Sequence, residues 1–332
     1  MGRGPMAALA GALALVSLVP PAGPAVAQPA EVRNDVEYGT ANGKRLLLDA
    51  YVPAGGEDRR AAGPERPPER AAVVMIHGGG WRVGDKASWA AEAQRFAARG
   101  WVAFSINYRL DEPSVFPAEI DDVQTAVRWV RAHAQEYRID PARIAAVGES
   151  AGGHLAAMLA TLGSGPLHED ARIRVGAAWS PPVDLSALAG SRGDRWAGPL
   201  FGCMQATCPD LLAQSSPVNH VDRTDAPLYL VNSTDELVPL SQAQAMAERL
   251  KAAAVDHRLD VFPGSRHALD FRDDAWAPTL AFLEKHLAAG NPAGGTEEKP
   301  SSGSWVVFGA AGVAVLGVVA ALVRRGRRRP GP

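Results

Sequence analysis

Short apolar runs alternate along the chain with amphipathic stretches, and that rhythm predicts strands and helices in alternation. Ala71 to Ile76 reads as a strand buried on both faces of a sheet, Trp101 to Ile106 and Ile144 to Val147 as further buried strands, and Val175 to Trp179, Leu228 to Asn232 and Arg258 to Phe262 as strands. Between these runs, Trp89 to Arg99, Leu155 to Leu162, Gln242 to Ala254 and Ala275 to His286 have helical composition. Ile120, Val123, Val127 and Val130 recur at the spacing of one helix face. Ahead of the first buried run, Val32 to Pro53 predicts two antiparallel strands, the second at Leu46 to Val52, with Asn42-Gly43 as the turn. Asp140-Pro141 predicts a short turn before the Ile144 strand. The expectation is an α/β fold: a mostly parallel central sheet with helices on both faces and its functional loops at the strands' carboxyl ends.

Both ends depart from this rhythm. Residues 1–27 read as a signal peptide: Arg3 gives a positive start, Ala7 to Val19 is apolar, and Ala25-Val26-Ala27 is a small-x-small cleavage site. An N-terminal anchor competes, but the run is short and ends in Pro20-Pro21. Trp305 to Val323 holds 19 residues without a charge and is followed by Arg324, Arg325, Arg327, Arg328 and Arg329. That pattern predicts a transmembrane helix at 305–323 and a basic cytoplasmic tail at 324–332, rather than a buried core helix. Residues 289–304, rich in Gly, Pro, Ser and Glu, read as a flexible linker, which leaves 28–288 as one domain. The chain is thus expected to be exported and anchored in the cell membrane, its domain on the extracytoplasmic side.

Net charge changes this picture little. At −2, with the arginine cluster explained by membrane topology, it gives no ground for a nucleic-acid partner. The two cysteines, Cys203 and Cys208, are expected to pair as a disulfide in an exported domain, since no further ligands for a metal site stand nearby.

The candidate chemistry gathers at the ends of the predicted strands. Gly148-Glu149-Ser150-Ala151-Gly152 sits between a buried strand and a helix, the setting in which a tight turn raises a serine hydroxyl above the sheet edge. Serine needs a base to take its proton, and the base needs an orienting acid. His267, in the loop after the Arg258 strand, is the preferred base among the downstream histidines His154, His168, His220, His257, His267 and His286. Asp235, in the loop after the Leu228 strand, is the preferred acid, and the adjacent Glu236 is its competitor. Gly78-Gly79-Gly80, after the Ala71 strand, permits close approach of backbone N–H groups to a developing oxyanion, and the Ala151 N–H lies next to Ser150. Trp81, Trp196 and Phe201 are candidate pocket residues; Trp196 and Phe201, with Leu211 and Leu212, read equally as core under a loop.

His77-Gly78-Gly79-Gly80-Trp81, Asn107-Tyr108-Arg109, Ile139 to Ile144, Gly148 to Gly153 and the Asp235 and His267 loops together resemble the α/β-hydrolase carboxylesterases, of the hormone-sensitive-lipase-like and bacterial feruloyl- or acetyl-esterase-like kinds. The resemblance runs from about Val36 to His286 and implies an α/β-hydrolase fold. It further implies a Ser150–His267–Asp235 triad acting through an acyl-enzyme, and Gly79, Gly80 and Ala151 as oxyanion donors, with His77 shaping the loop. Small-molecule or carbohydrate-linked esters are the substrates it suggests, of short acyl chain, with no metal or organic cofactor. Alternatives are a serine peptidase or amidase of the same fold and an inert hydrolase-like binding protein. Leu185 to Gln214 matches no pattern of the family, and the C-terminal span is unusual within it.

Overall fold

The computed structural model describes residues 30–54, 69–110, 116–188 and 208–288. The expected signal peptide, linker, transmembrane helix and basic tail all lie outside these residues, as do Trp196, Phe201 and Cys203, and with Cys203 the expected disulfide. Among the described residues no helix is long and apolar enough to cross a membrane.

A hairpin opens the domain. Strands β1 (Glu31–Ala41) and β2 (Lys44–Val52) pair antiparallel about Asn42 and Gly43. Both turn residues have positive φ, 51° and 74°, which is what asparagine and glycine tolerate best. Strand β3 (Arg70–Ile76) is followed by helix α1 (Ala90–Ala98), strand β4 (Val102–Ile106), helix α2 (Ala118–Ala132) and the short helix α3 (Ala134–Tyr137). Strand β5 (Ile139–Glu149) leads directly into α4 (Ala151–Thr161), and β6 (Val175–Trp179) precedes the short helix α5 (Pro209–Gln214). Strand β7 (Leu228–Ser233), helix α6 (Leu240–Ala252), strand β8 (His257–Phe262) and helix α7 (Arg272–Leu287) complete the domain.

The eight strands form one sheet in the order β1-β2-β4-β3-β5-β6-β7-β8. Only the two pairings that involve β2 are antiparallel; β4 through β8 run parallel. Because side chains alternate across a strand, β3 divides its apolar run between two cores. Ala72, Val74 and Ile76 pack on the side of α2, α4 and α6; Ala71, Val73 and Met75 face α1 and α7. Burial on both faces is why this strand reads as unbroken apolar sequence rather than as alternation.

Asp140-Pro141 departs from its expectation. Instead of a turn before the strand, the two residues lie within β5, where the pairing slips between Arg70↔Ile139 and Ala72↔Ile144. Asp140 Oδ1 accepts the Ala142 N–H at 2.9 Å, so the local turn chemistry survives as an irregularity inside a continuous strand. Leu212 is buried and Leu211 packs against the same core, which places both as core residues.

Candidate active site

Five strands that are neighbours in the sheet deliver the site from their carboxyl ends: β3 gives Gly78 to Trp81, β5 gives Ser150, β6 gives Ser180, β7 gives Glu236 and β8 gives His267. Ser150 occupies a single-residue corner between β5 and α4, with φ 52° and ψ −120°. Such a backbone costs about 1–3 kcal/mol for a residue with a Cβ and is held only by its surroundings. Those surroundings are specific. The Ser150 N–H donates to Trp179 O at 2.8 Å, a Cβ on Gly148 would collide with Gly152 O, and a Cβ on Gly152 would collide with the carbonyl oxygens of Ile76 and His77.

Ser150 Oγ stands 3.0 Å from His267 Nε2. On the far side of the ring, His267 Nδ1 meets Glu236 Oε2; the carboxylate can only accept, so Nδ1 carries the proton and Nε2 faces the hydroxyl as acceptor. Glu236 is held in turn: its Oε1 accepts the Ser180 hydroxyl at 3.0 Å and the Ser233 N–H at 2.8 Å. Ser180 Oγ also accepts the Ala268 N–H at 2.9 Å, which fixes the backbone beside His267.

The carboxylate that meets His267 is therefore Glu236 and not the expected Asp235. In the turn after β7 the Asp235 N–H is bonded to Gly264 O at 2.9 Å, and the Asp235 residue is exposed. Glu236, one residue on and one methylene longer, folds back over Ser233 and is buried beneath His267. Ser180 escaped the sequence reading because a serine after an apolar strand carries no distinguishing pattern. Glu236 had a local signal: a carboxylate three residues after Ser233 can cap that residue's N–H.

Gly79, Gly80 and Ala151 line the same cavity as Ser150 and His267, about 290 Å³ in volume. Ala151 is the first residue of α4, where an amide has no acceptor within the helix and the helix dipole favours negative charge. Gly79 and Gly80 take φ of 106° and 59°, and a Cβ on Gly79 would collide with the Val83 carbonyl. Behind them, His77 Nδ1 donates to Gly78 O at 2.7 Å, and its ring stacks on Tyr108, whose hydroxyl donates to His77 O at 2.9 Å. Burial lowers the His77 pKa, so this histidine is a neutral support for the loop.

Trp81 also lines the cavity, with Val83, Pro182, Leu188, Leu237 and Val238 supplying the remaining apolar wall. Its indole N–H donates to His154 Nδ1 at 3.2 Å, and His154 Nε2 donates to Ser215 O at 2.6 Å. Both partners demand neutral imidazole, and complete burial pushes the His154 pKa down to about 4. His154 is thus the residue that orients Trp81, a role its place on a small-residue helix did not announce. Among the described residues no group of three or more His, Cys, Asp or Glu side chains is placed to hold a metal ion.

Comparison with known proteins identifies the family. The BD-FAE family model matches residues 62–250. Mycobacterium tuberculosis (strain ATCC 25618 / H37Rv) has two relatives that are each 30% identical: the probable carboxylic ester hydrolase LipM over 65% of this chain, and the esterase LipC over 79%. The chain spans about half of LipM (53%) and 70% of LipC. Ethyl acetate hydrolase of Pseudomonas putida is 30% identical over 76% of this chain and 83% of its own length. Among solved structures, esterase Est2 from the Planctomycetes species Thermogutta terrifontis superposes with a TM-score of 0.62 at 26% identity, covering 79% of this chain and 95% of Est2. A truncated carbohydrate esterase from gut microbiota shares the fold, with a TM-score of 0.66 at 23% identity, over 80% of this chain and 99% of its own. The chain belongs to the BD-FAE family, within the α/β-hydrolase carboxylesterases.

Proposed function

We propose that this protein hydrolyses small carboxylic esters through a Ser150–His267–Glu236 triad and an acyl-enzyme. The observation that carries the reading is the line Ser150 Oγ, His267 imidazole, Glu236 carboxylate, with 3.0 Å between Oγ and Nε2. Ser150 Oγ attacks the ester carbonyl carbon while its proton passes to His267 Nε2. Negative charge gathers on the carbonyl oxygen, opposite the amides of Gly79, Gly80 and Ala151. Collapse breaks the bond to the alcohol oxygen, which takes the proton from Nε2 and leaves. Water then gives a proton to Nε2 and attacks the acyl carbon; the carboxylic acid departs as Ser150 regains its proton. Glu236 holds the imidazole in the tautomer that can accept and faces the imidazolium as it forms.

Support comes from three directions. The named relatives are ester hydrolases, and Thermogutta terrifontis esterase 2 has been solved with propionate bound and phosphorylated by paraoxon, a reagent that marks a reactive serine. The cavity lies at the small end of ligand sites, and its apolar wall suits short acyl groups, acetyl to butyryl. The test is turnover of a panel of p-nitrophenyl acyl esters, acetylated or feruloylated sugars and peptide amides. Fast cleavage of short esters is expected; cleavage of amides but not esters would contradict the reading, and binding without turnover would point to an inert relative. We further propose that the protein is exported and anchored in the cell membrane by Trp305 to Val323, its domain on the extracytoplasmic side, on charge and length alone. Protease shaving of intact cells should release an active domain, and activity shielded until lysis would refute this topology.

A further inference from the structure

Glu149 is a buried carboxyl for which the triad has no use. It precedes Ser150 in the chain and reaches across the sheet edge to the loop after β3, where its Oε1 accepts the Gly78 N–H at 2.5 Å. Contact is close enough that a Cβ on Gly78 would collide with both carboxylate oxygens. Glu149 also lines the cavity beside Ser150 and Gly79. One side chain therefore ties the turn that carries the nucleophile to the loop that carries two of the three oxyanion amides.

We propose that Glu149 is a positioning residue: by accepting the Gly78 N–H, its carboxylate draws Gly79 and Gly80 onto the Ser150 turn and fixes where the oxyanion is received. The proposal rests on the esterase reading above. A hydrogen bond to an ionised acceptor is about twice as strong as a neutral one, so the tie is firmest when Glu149 is a carboxylate. Burial raises its pKa to about 7; the Gly78 N–H, His267 and Arg272 act against that rise, and Asp270 adds to it. Across the loop stand Tyr108, which burial keeps un-ionised, and His77, whose pKa burial lowers. Positioning therefore weakens as pH falls through about 7.

The experiment is the steady-state hydrolysis of p-nitrophenyl butyrate by the full chain, its Glu149→Gln variant and its Glu149→Ala variant, from pH 5.5 to 8.5. Glu149→Ala removes the acceptor and should lower kcat by about 10- to 100-fold with KM nearly unchanged, because a misplaced donor is felt in the transition state. Glu149→Gln keeps a carbonyl oxygen for Gly78 and should recover most of that loss. Protonated Glu149 resembles glutamine, so the ratio of wild-type to Glu149→Gln kcat should fall from about threefold at pH 8 to near one below pH 6. A kcat for Glu149→Ala within twofold of wild type, or a glutamine variant as impaired as the alanine one, would overturn the proposal. If the alanine variant does not fold, the pH ratio decides alone, and a ratio independent of pH overturns it. Wild-type protein inert towards every ester would instead overturn the esterase reading beneath it.

Discussion

Exchanging the two neighbouring acids for their amides should separate them cleanly. Glu236→Gln keeps the shape and an oxygen able to accept from the Ser233 N–H and the Ser180 hydroxyl, now at 2.8 and 3.0 Å, so the fold has little reason to fail. What changes is the face towards His267. An amide NH₂ donates, so Nδ1 must accept, the ring proton moves to Nε2, and Nε2 can no longer take the proton from Ser150. Loss of the correct tautomer in a triad costs about 10⁴ in kcat, or about 5.4 kcal/mol at 1.36 kcal/mol per decade. Asp235→Asn alters an exposed side chain whose anchor is its backbone N–H, and kcat should stay within about twofold of wild type, as for ordinary surface substitutions. The assay is kcat on p-nitrophenyl butyrate, with thermal melting to show that both variants fold. A larger loss from Asp235→Asn than from Glu236→Gln would refute the geometry of the acid loop.

Ser180→Ala removes a donor to Glu236 and the acceptor of the Ala268 N–H, and should lower kcat by about tenfold while costing about 1–3 kcal/mol of stability, read by activity and denaturant melting. Gly152→Ala drives a Cβ into the carbonyl oxygens of Ile76 and His77 and should destabilise by about 3 kcal/mol or more, visible as a lowered Tm or insoluble expression. Glu119 lies buried on α2 with burial raising its pKa to about 7, so its carboxyl supports the fold while neutral and costs stability once ionised. Its stabilising effect is complete below the unfolded value near 4.5 and lost as pH rises through about 7; Glu119→Gln should therefore raise Tm at pH 8 and leave it almost unchanged at pH 4.5.

Much of this fold is legible in the sequence because its strands are buried on both faces. An uninterrupted run such as Ala71 to Ile76 has few other structures open to it, and Asn42-Gly43 fits a tight turn for reasons of φ alone. The serine turn is legible for a similar reason: the glycines at 148 and 152 stand where a Cβ would meet backbone. The spacing of Glu236 from Ser233 is a local signal, but it does not by itself decide between Asp235 and Glu236, because the Asp235 N–H is bonded to Gly264, some thirty residues away, with Asp235 left exposed. Ser180, Glu149 and His154 were hidden for the same cause. Each acquires its role from a partner on another strand end or loop: Glu236 and Ala268, Gly78, and Trp81 and Ser215 respectively. At Asp140-Pro141 the turn chemistry is local, but the pairing of β5 with β3 continues past it.

The central claim is that Ser150 is the nucleophile, and covalent labelling addresses it most directly. Purified protein treated with paraoxon should lose its esterase activity as one phosphoryl group is taken up per chain, and peptide mass spectrometry should place that group on Ser150. The Ser150→Ala variant should fold with an unchanged circular dichroism spectrum, take up no label and show no turnover, since the corner is held by Gly148, Gly152 and the bond to Trp179 rather than by the hydroxyl. Label on another residue, or appreciable ester turnover by Ser150→Ala, would contradict the account.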